Sequence, residues 1–195
     1  NVPDGVIYIK RNNIGFDIGA MQDVFAERLP GFPNDWDNLL WCTDDTFPMF
    51  KDFTKIYWEQ LKTNGIAAMC ISPFVRKHIR TTGFAIKKDV SKQITFPADP
   101  ITTKHECYEF EHLSVQKNFL SQVIALGYTA VQVAPNETSP MYDTEYTRRI
   151  KPRIKDHYAL FGDERLQVAE LPSEPLVVFI CPAYNAYPYI VHSLQ

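Results

Sequence analysis

The sequence predicts a layered α/β domain, a mainly parallel sheet with helices on both faces. Short apolar, β-branched runs alternate with segments whose apolar residues recur every three to four positions, and Gly- or Pro-bearing turns separate the two kinds. Strands that alternate with helices in this way pack as layered units around a parallel sheet. One run, Leu39-Leu40-Trp41-Cys42, ends abruptly in Thr43-Asp44-Asp45 ahead of Pro48. A buried strand ending so would deliver acidic side chains to the carboxyl edge of the sheet, where ligands bind in open α/β folds.

Val6-Ile7-Tyr8-Ile9-Lys10 follows the turn signal Pro3-Asp4-Gly5 and reads as a strand. Residues 16–29 read as a helix because Ile18, Met21, Phe25 and Leu29 share one face, and residues 30–33 break it. Asp52 is the expected N-cap of a helix through Lys62, with Phe53, Ile56, Tyr57 and Leu61 on its apolar face. Residues 66–71 and 84–86 read as short strands, 88–93 as a helical turn, and Asp99-Pro100 as a turn. A helix is expected from Glu106 or later to Leu126, closed by Gly127. Residues 128–133 read as a strand, 136–140 as a loop, and 142–161 as largely helical after Pro152. Residues 171–175 are a linker by composition, residues 176–180 a strongly apolar strand, and residues 187–195 the opening of a helix.

The 195 residues suffice for one substantial domain, and 45% hydrophobic with 22% charged residues is ordinary globular composition. A net charge of −3 gives no basic surface for a polyanion, which argues against nucleic acid as a partner. The longest apolar runs are too short to span a bilayer, and residues 1–20 carry no signal-peptide pattern. Cys42, Cys70, Cys107 and Cys181 are widely spaced without a Cys-x-x-Cys pair, so a reducing, cytoplasmic setting is expected.

Asp44 and Asp45 are hard oxygen donors suited to Mg²⁺ or Mn²⁺ and, with it, to a phosphorylated substrate. A solvated turn or a helix cap is the plainer reading of the same pair. Asn12-Asn13-Ile14-Gly15-Phe16-Asp17-Ile18-Gly19-Ala20 has the glycines of a tight turn into a helix. The helix start could favour a phosphate, and Asp17 could accept from a base or ribose or simply cap the helix. In Ile79-Arg80-Thr81-Thr82-Gly83-Phe84-Ala85-Ile86 a glycine hinges a strand, with His78 at its edge. Glu109 and Glu111, in Thr103-Lys104-His105-Glu106-Cys107-Tyr108-Glu109-Phe110-Glu111-His112, would share one face if this segment were extended. His105 and His112 match no standard zinc spacing. Arg148, Arg149, Lys151, Arg153 and Lys155 could close over a diphosphate or form a solvated helix face.

The succession Asn13-Ile14-Gly15-Phe16-Asp17-Ile18-Gly19-Ala20, then Leu39-Leu40-Trp41-Cys42-Thr43-Asp44-Asp45, resembles bacterial polysaccharide glycosyltransferases of the GT-A fold, of the rhamnan-synthesis and capsule type. The resemblance covers roughly residues 6–135. It implies an incomplete GT-A-like domain lacking its first strands, with Asn13, Gly15, Asp17, Thr43, Asp44 and Arg148 on the nucleotide sugar. It implies Mg²⁺ or Mn²⁺ on Asp44 and Asp45, although Thr43-Asp44-Asp45 departs from the Asp-x-Asp pattern. It implies Glu111 or Glu109 as the base, since an acid just ahead of a helix finishing in Gly127-Tyr128 is similar to the inverting enzymes. Residues 79–86 would line the sugar and acceptor pocket. The implied function is sugar transfer from a nucleotide-diphosphate sugar to a glycan or lipid-linked acceptor, in the cytoplasm at the inner face of the membrane. A catalytically inactive transferase-like module that binds a glycan or protein partner is the alternative.

Pro175-Leu176-Val177-Val178-Phe179-Ile180-Cys181-Pro182-Ala183-Tyr184-Asn185 resembles the opening of a family 2 glycosyltransferase domain. The expected organisation is a transferase domain over residues 1–170, a linker over 171–175, and the first strand and helix of a following domain over 176–195. The chain then reads as a piece of a longer polypeptide; alternatively, residues 176–180 complete the first sheet.

Overall fold

The computed structural model describes residues 7–43, 46–48, 50, 52–68, 78–141, 143, 145, 148–149 and 161–163. The expected strand, linker and helix over residues 171–195, most of the helix expected over residues 142–161, and the expected metal ligands Asp44 and Asp45 lie outside the described residues.

Helix α1 spans Phe16–Phe25 and β1 spans Asn38–Cys42, followed by β2 at Thr46–Pro48. Helix α2 spans Phe53–Leu61, β3 Ile66–Ala68, β4 Gly83–Lys87 and α3 Lys88–Ser91. Helix α4 covers Lys104–Tyr108 and runs into a π-helical turn, Glu109–Leu113, before α5 at Phe119–Ala125. Strands β5 at Ala130–Ala134, β6 at Glu137–Pro140 and β7 at Phe161–Asp163 complete the order.

The architecture is mixed α/β, with five strands in the order β1-β4-β3-β5-β6 and a separate two-stranded pairing of β2 with β7. The sheet is mostly antiparallel by pairing, which corrects the expectation of a mainly parallel one. Among the described strands only β3 with β5 is parallel, Ala67 opposite Val131. The reason is β4, which runs antiparallel to both of its neighbours, with Ala85 opposite Leu40 on one side and Ala67 on the other. Because β4 reverses between them, β1 and β3 share a direction, and β5 shares it too. The carboxyl ends of β1, β3 and β5 therefore lie at one edge of the sheet.

Alternation along β1 decides what covers each face. Leu39 and Trp41 join Ile18, Met21, Val24 and Phe25 of α1 and Phe119 of α5 in one core. Leu40 and Cys42 join Phe53, Tyr57 and Leu61 of α2 in the other, over Ala67 and Ala85. Helices thus cover both faces, and the small side chains at 67 and 85 leave room for the buried Tyr57 ring. Edge-on and stacked aromatic pairs tie the first core together: Phe84 with Phe119 at 5.2 Å, Phe110 with Phe119 at 5.1 Å and Phe96 with Phe110 at 4.5 Å between centroids.

Several local expectations are corrected. Residues 7–10 form no strand, and Ile7 and Tyr8 are exposed; a β-branched run has no strand character without a neighbour to pair with. Helix α1 stops at Phe25 because Glu27 takes a left-handed φ of 55°. Asp52 precedes α2 but has φ 64° and makes no side-chain cap. The single helix expected up to Leu126 is divided: Ser114 is extended, and Asn118 starts α5 afresh by accepting from the Ser121 N–H at 2.9 Å. Gly127, at φ 84°, ends α5 as expected. Residues 137–140, expected as loop, form β6 by hairpin pairing around Pro135 and Asn136, with Ala134 opposite Glu137.

Gln22 is buried in α1 and joins it to the loop before α4. Its amide donates to Ala98 O at 2.7 Å and accepts from the Ile101 N–H at 2.9 Å. Replacing Gln22 with Leu fills the space but leaves both backbone groups without a partner, so urea denaturation should show a loss of about 1–3 kcal/mol.

Candidate functional site

The site is built on the turn into α1. Gly15 has φ 73° and Phe16 φ 54°, two successive left-handed residues. Glycine adopts this conformation freely, whereas Phe16 carries a steric cost of about 1–2 kcal/mol. A Cβ on Gly15 would stand 2.4 Å from Ile101 O, so the loop after Pro100 closes directly over this turn. Cys107 Sγ donates to Gly15 O at 3.4 Å from the other side. Arg11 holds the approach to the turn: its guanidinium donates to Ile14 O at 3.0 Å and to Asp23 of α1 at 2.9 Å. Helix α4 is started by a reciprocal cap, Thr103 Oγ1 accepting from the Glu106 N–H and Glu106 accepting from the Thr103 N–H. The Thr102 and Thr103 N–H donors hold the Glu106 carboxyl below its ordinary pKa.

This framework points Asp17 at two residues distant in sequence. Thr81 Oγ1, buried just ahead of β4, donates to Asp17 Oδ2 at 3.0 Å. Burial raises the Asp17 carboxyl above its ordinary pKa, and the Glu111 charge adds to the rise, against the lowering effect of the Thr81 bond. The Cys107 thiol, also buried, is pushed up to about 11 by desolvation and by the Asp17, Glu106 and Glu111 charges. A thiol this far above neutrality stays protonated and is a packing and hydrogen-bonding group rather than a nucleophile.

Glu109 and Glu111 do not share a face, because the segment is helical rather than extended. The π-helical turn sends Phe110 into the core and separates its two neighbours. Glu109 faces outward, 43% exposed, 3.6 Å from His105; Glu111 is 23% exposed and bears on Asp17 and Cys107. His112 Nδ1 lies 3.4 Å from Glu111 Oε2, and its ring lies against Tyr108 at 5.4 Å and His78 at 5.6 Å. Turns of this kind recur where a helix must re-aim a functional side chain.

Thr43 is buried one residue beyond β1, and its carbonyl accepts from the Thr46 N–H at 3.1 Å and hydroxyl at 2.7 Å. Cys42 pairs with Gly83, so Thr43 and Thr81 lie at the same edge of the sheet. Period 2 puts Thr43 on the face of Leu39 and Trp41, the one covered by α1. Asn13 is exposed in the approach to the turn. Arg148 is not brought to this cluster. It lines a polar groove of about 540 Å³ with Glu137, Thr138 and Ser139 of β6, the strand at the opposite edge from β1. Beside it, Arg149 donates to both carboxylate oxygens of Glu137, one at 2.9 Å.

The Asp17–Thr81 bond and the Cys107–Gly15 contact were not legible beforehand. Each joins residues more than sixty positions apart, and no local pattern encodes that distance. Among the described residues no group of three or more His, Cys, Asp or Glu side chains is arranged to hold a metal ion, and no helix is long and apolar enough to cross a membrane. Compared with known proteins, the chain matches no family model, no curated protein and no solved structure.

Below the ordinary carboxylate range Asp17 is protonated whether the chain is folded or not, and the site carries no charge cost there. As pH rises toward the raised folded value, the unfolded chain releases this proton first and stability falls. Asp17→Asn removes that dependence. The variant should melt above the parent at pH 7, and the gap should close below about pH 3, where the carboxyl is neutral in both states. A gap independent of pH in thermal melts would show that Asp17 carries no such cost.

Proposed function

We propose that this chain is the donor-binding part of a GT-A-like glycosyltransferase, moving a sugar from a nucleotide-diphosphate sugar to a surface-glycan or lipid-linked acceptor at the cytoplasmic face of the membrane. The observation that carries the reading is convergence. Asp17, Thr81 and Glu111 come from three separate segments to one place. That place lies at the edge of the sheet where β1 ends, and Cys42, its last residue, is two positions before Asp44 in the sequence. The common direction of β1, β3 and β5 and the helices on both faces support a sheet of this lineage.

Each residue has a role that fits its surroundings. Asp17, half-buried and oriented by Thr81, is suited to a fixed hydrogen bond with the nucleoside. Gly15, closed over by Ile101 and Cys107, fixes the turn that aims Asp17, and Asn13 lies exposed two residues before it. Glu111 is the better base of the two glutamates, because it is the less exposed and its charge bears on Asp17 and Cys107, while Glu109 turns away. It accepts the proton of an acceptor hydroxyl as that oxygen attacks the anomeric carbon. Asp44 and Asp45 are hard oxygen donors and would hold Mg²⁺ or Mn²⁺. A cation there would supply Lewis-acid neutralisation of the leaving diphosphate. Arg148, across the sheet, has no role in this reading.

Calorimetry with UDP-, GDP- and dTDP-sugars, with and without Mn²⁺, tests the binding half. Asp44→Ala with Asp45→Ala should abolish the Mn²⁺-dependent component, and unchanged binding would sink the assignment. Glu111→Gln should lower turnover by about 10²–10⁴-fold while donor binding stays the same. Full donor binding with no turnover in the parent protein would favour the inactive, glycan-binding module instead.

A further inference from the structure

We infer, resting on Glu111 as the base proposed above, that His112 is the positioning residue that holds the Glu111 carboxylate in the cluster. Two His–Glu contacts occur in this segment, and they differ in setting. His105 and Glu109 lie 3.6 Å apart with the imidazole 73% exposed, where water and salt remove most of the attraction. His112 and Glu111 lie 3.4 Å apart with side chains 30% and 23% exposed. The His112 ring is also held from two elements. Tyr108, one turn earlier, lies 5.4 Å away at 46°, and His78, from the segment leading into β4, lies 5.6 Å away at 50°. These two rings pack against the imidazole, whose Nδ1 lies 3.4 Å from Glu111 Oε2.

A holding group is needed at this place. Asp17 and Glu111 are both acidic and act on each other through the cluster. A carboxylate repelled by its neighbour swings toward solvent unless a donor retains it. An imidazole N–H does so from within the same turn, without bringing the permanent charge of Lys or Arg. The proton of a neutral imidazole resides on whichever nitrogen meets an acceptor. Retention of Glu111 by His112 therefore requires the proton on Nδ1, with Nε2 left as the bare nitrogen.

Imidazole ¹⁵N NMR at neutral pH reads the tautomer directly and needs no substrate. Protonation at Nδ1 of His112 is expected, and a bare Nδ1 overturns the assignment. Hydrolysis of UDP-, GDP- and dTDP-sugars with Mn²⁺ provides the second measurement. His112→Phe keeps a ring between Tyr108 and His78 but removes the donor. It should lower kcat roughly ten- to a hundredfold at unchanged KM, the scale of a misplaced reacting group. His112→Asn, whose amide N–H falls near the place of Nδ1, should restore part of that loss. Unchanged kcat in His112→Phe alongside an inactive Glu111→Gln overturns the positioning role and leaves the base intact. Full activity in Glu111→Gln refutes the base instead, and the tautomer then decides alone whether His112 retains Glu111.

Discussion

The Ile101 carbonyl lies so close to Gly15 that no other side chain fits between them, and the Cys107 thiol donates to the Gly15 carbonyl from α4. This clasp on the first turn of α1 is the constraint on which the arrangement depends. Gln22, two turns along the same helix, binds the loop on both sides of Pro100 and keeps Ile101 where it is. Once the turn is pinned, Phe16 is held in a left-handed conformation it would not choose, and Asp17 is directed beneath Thr81. The neighbouring Gly19 is equally confined, with Ile14 O 2.4 Å from where its Cβ would stand. Strain at this turn is tolerated because three separate segments fix it.

The sheet supplies the second half of the geometry. Strand β4 reverses between β1 and β3, and the reversal brings the residues just before β4 to the edge where β1 finishes. Without that insertion Thr81 would start at the opposite edge from Thr43 and could not meet Asp17. The same reversal gives the sheet its antiparallel pairing while leaving β1, β3 and β5 in one direction. The two cores on either side then fix the height of the helices: α1 and α5 on the Trp41 face, α2 on the Leu40 face.

Phe110 links the core to the segment that carries Glu111. Its ring stacks on Phe96 and Phe119, and this anchorage divides Glu109 from Glu111. An ordinary helix would also separate residues two apart, but the π-helical turn sets where Glu111 emerges relative to Asp17. The aromatic packing that stabilises the domain thereby decides which of two neighbouring glutamates enters the cluster. The outward Glu109 is left with a solvent-exposed histidine as its partner.

The sequence by itself determined the elements whose signals are local. Short apolar runs marked β1 and β4, helical spacing marked α1 and α2, and Gly127 marked the end of α5, because each rests on contacts within a few residues. It also singled out Gly15, Asp17, His78 and Glu111 as residues of interest. It misjudged residues 7–10 and 137–140, since a strand exists only where another strand pairs with it and composition cannot say where that partner is. Tertiary structure alone decided the direction of β4, the bond from Thr81 to Asp17, the different exposures of Glu109 and Glu111, and the separation of Arg148 from Asp17. Each of those depends on chain segments far apart in sequence being folded against one another, and local spacing carries no information about such pairings.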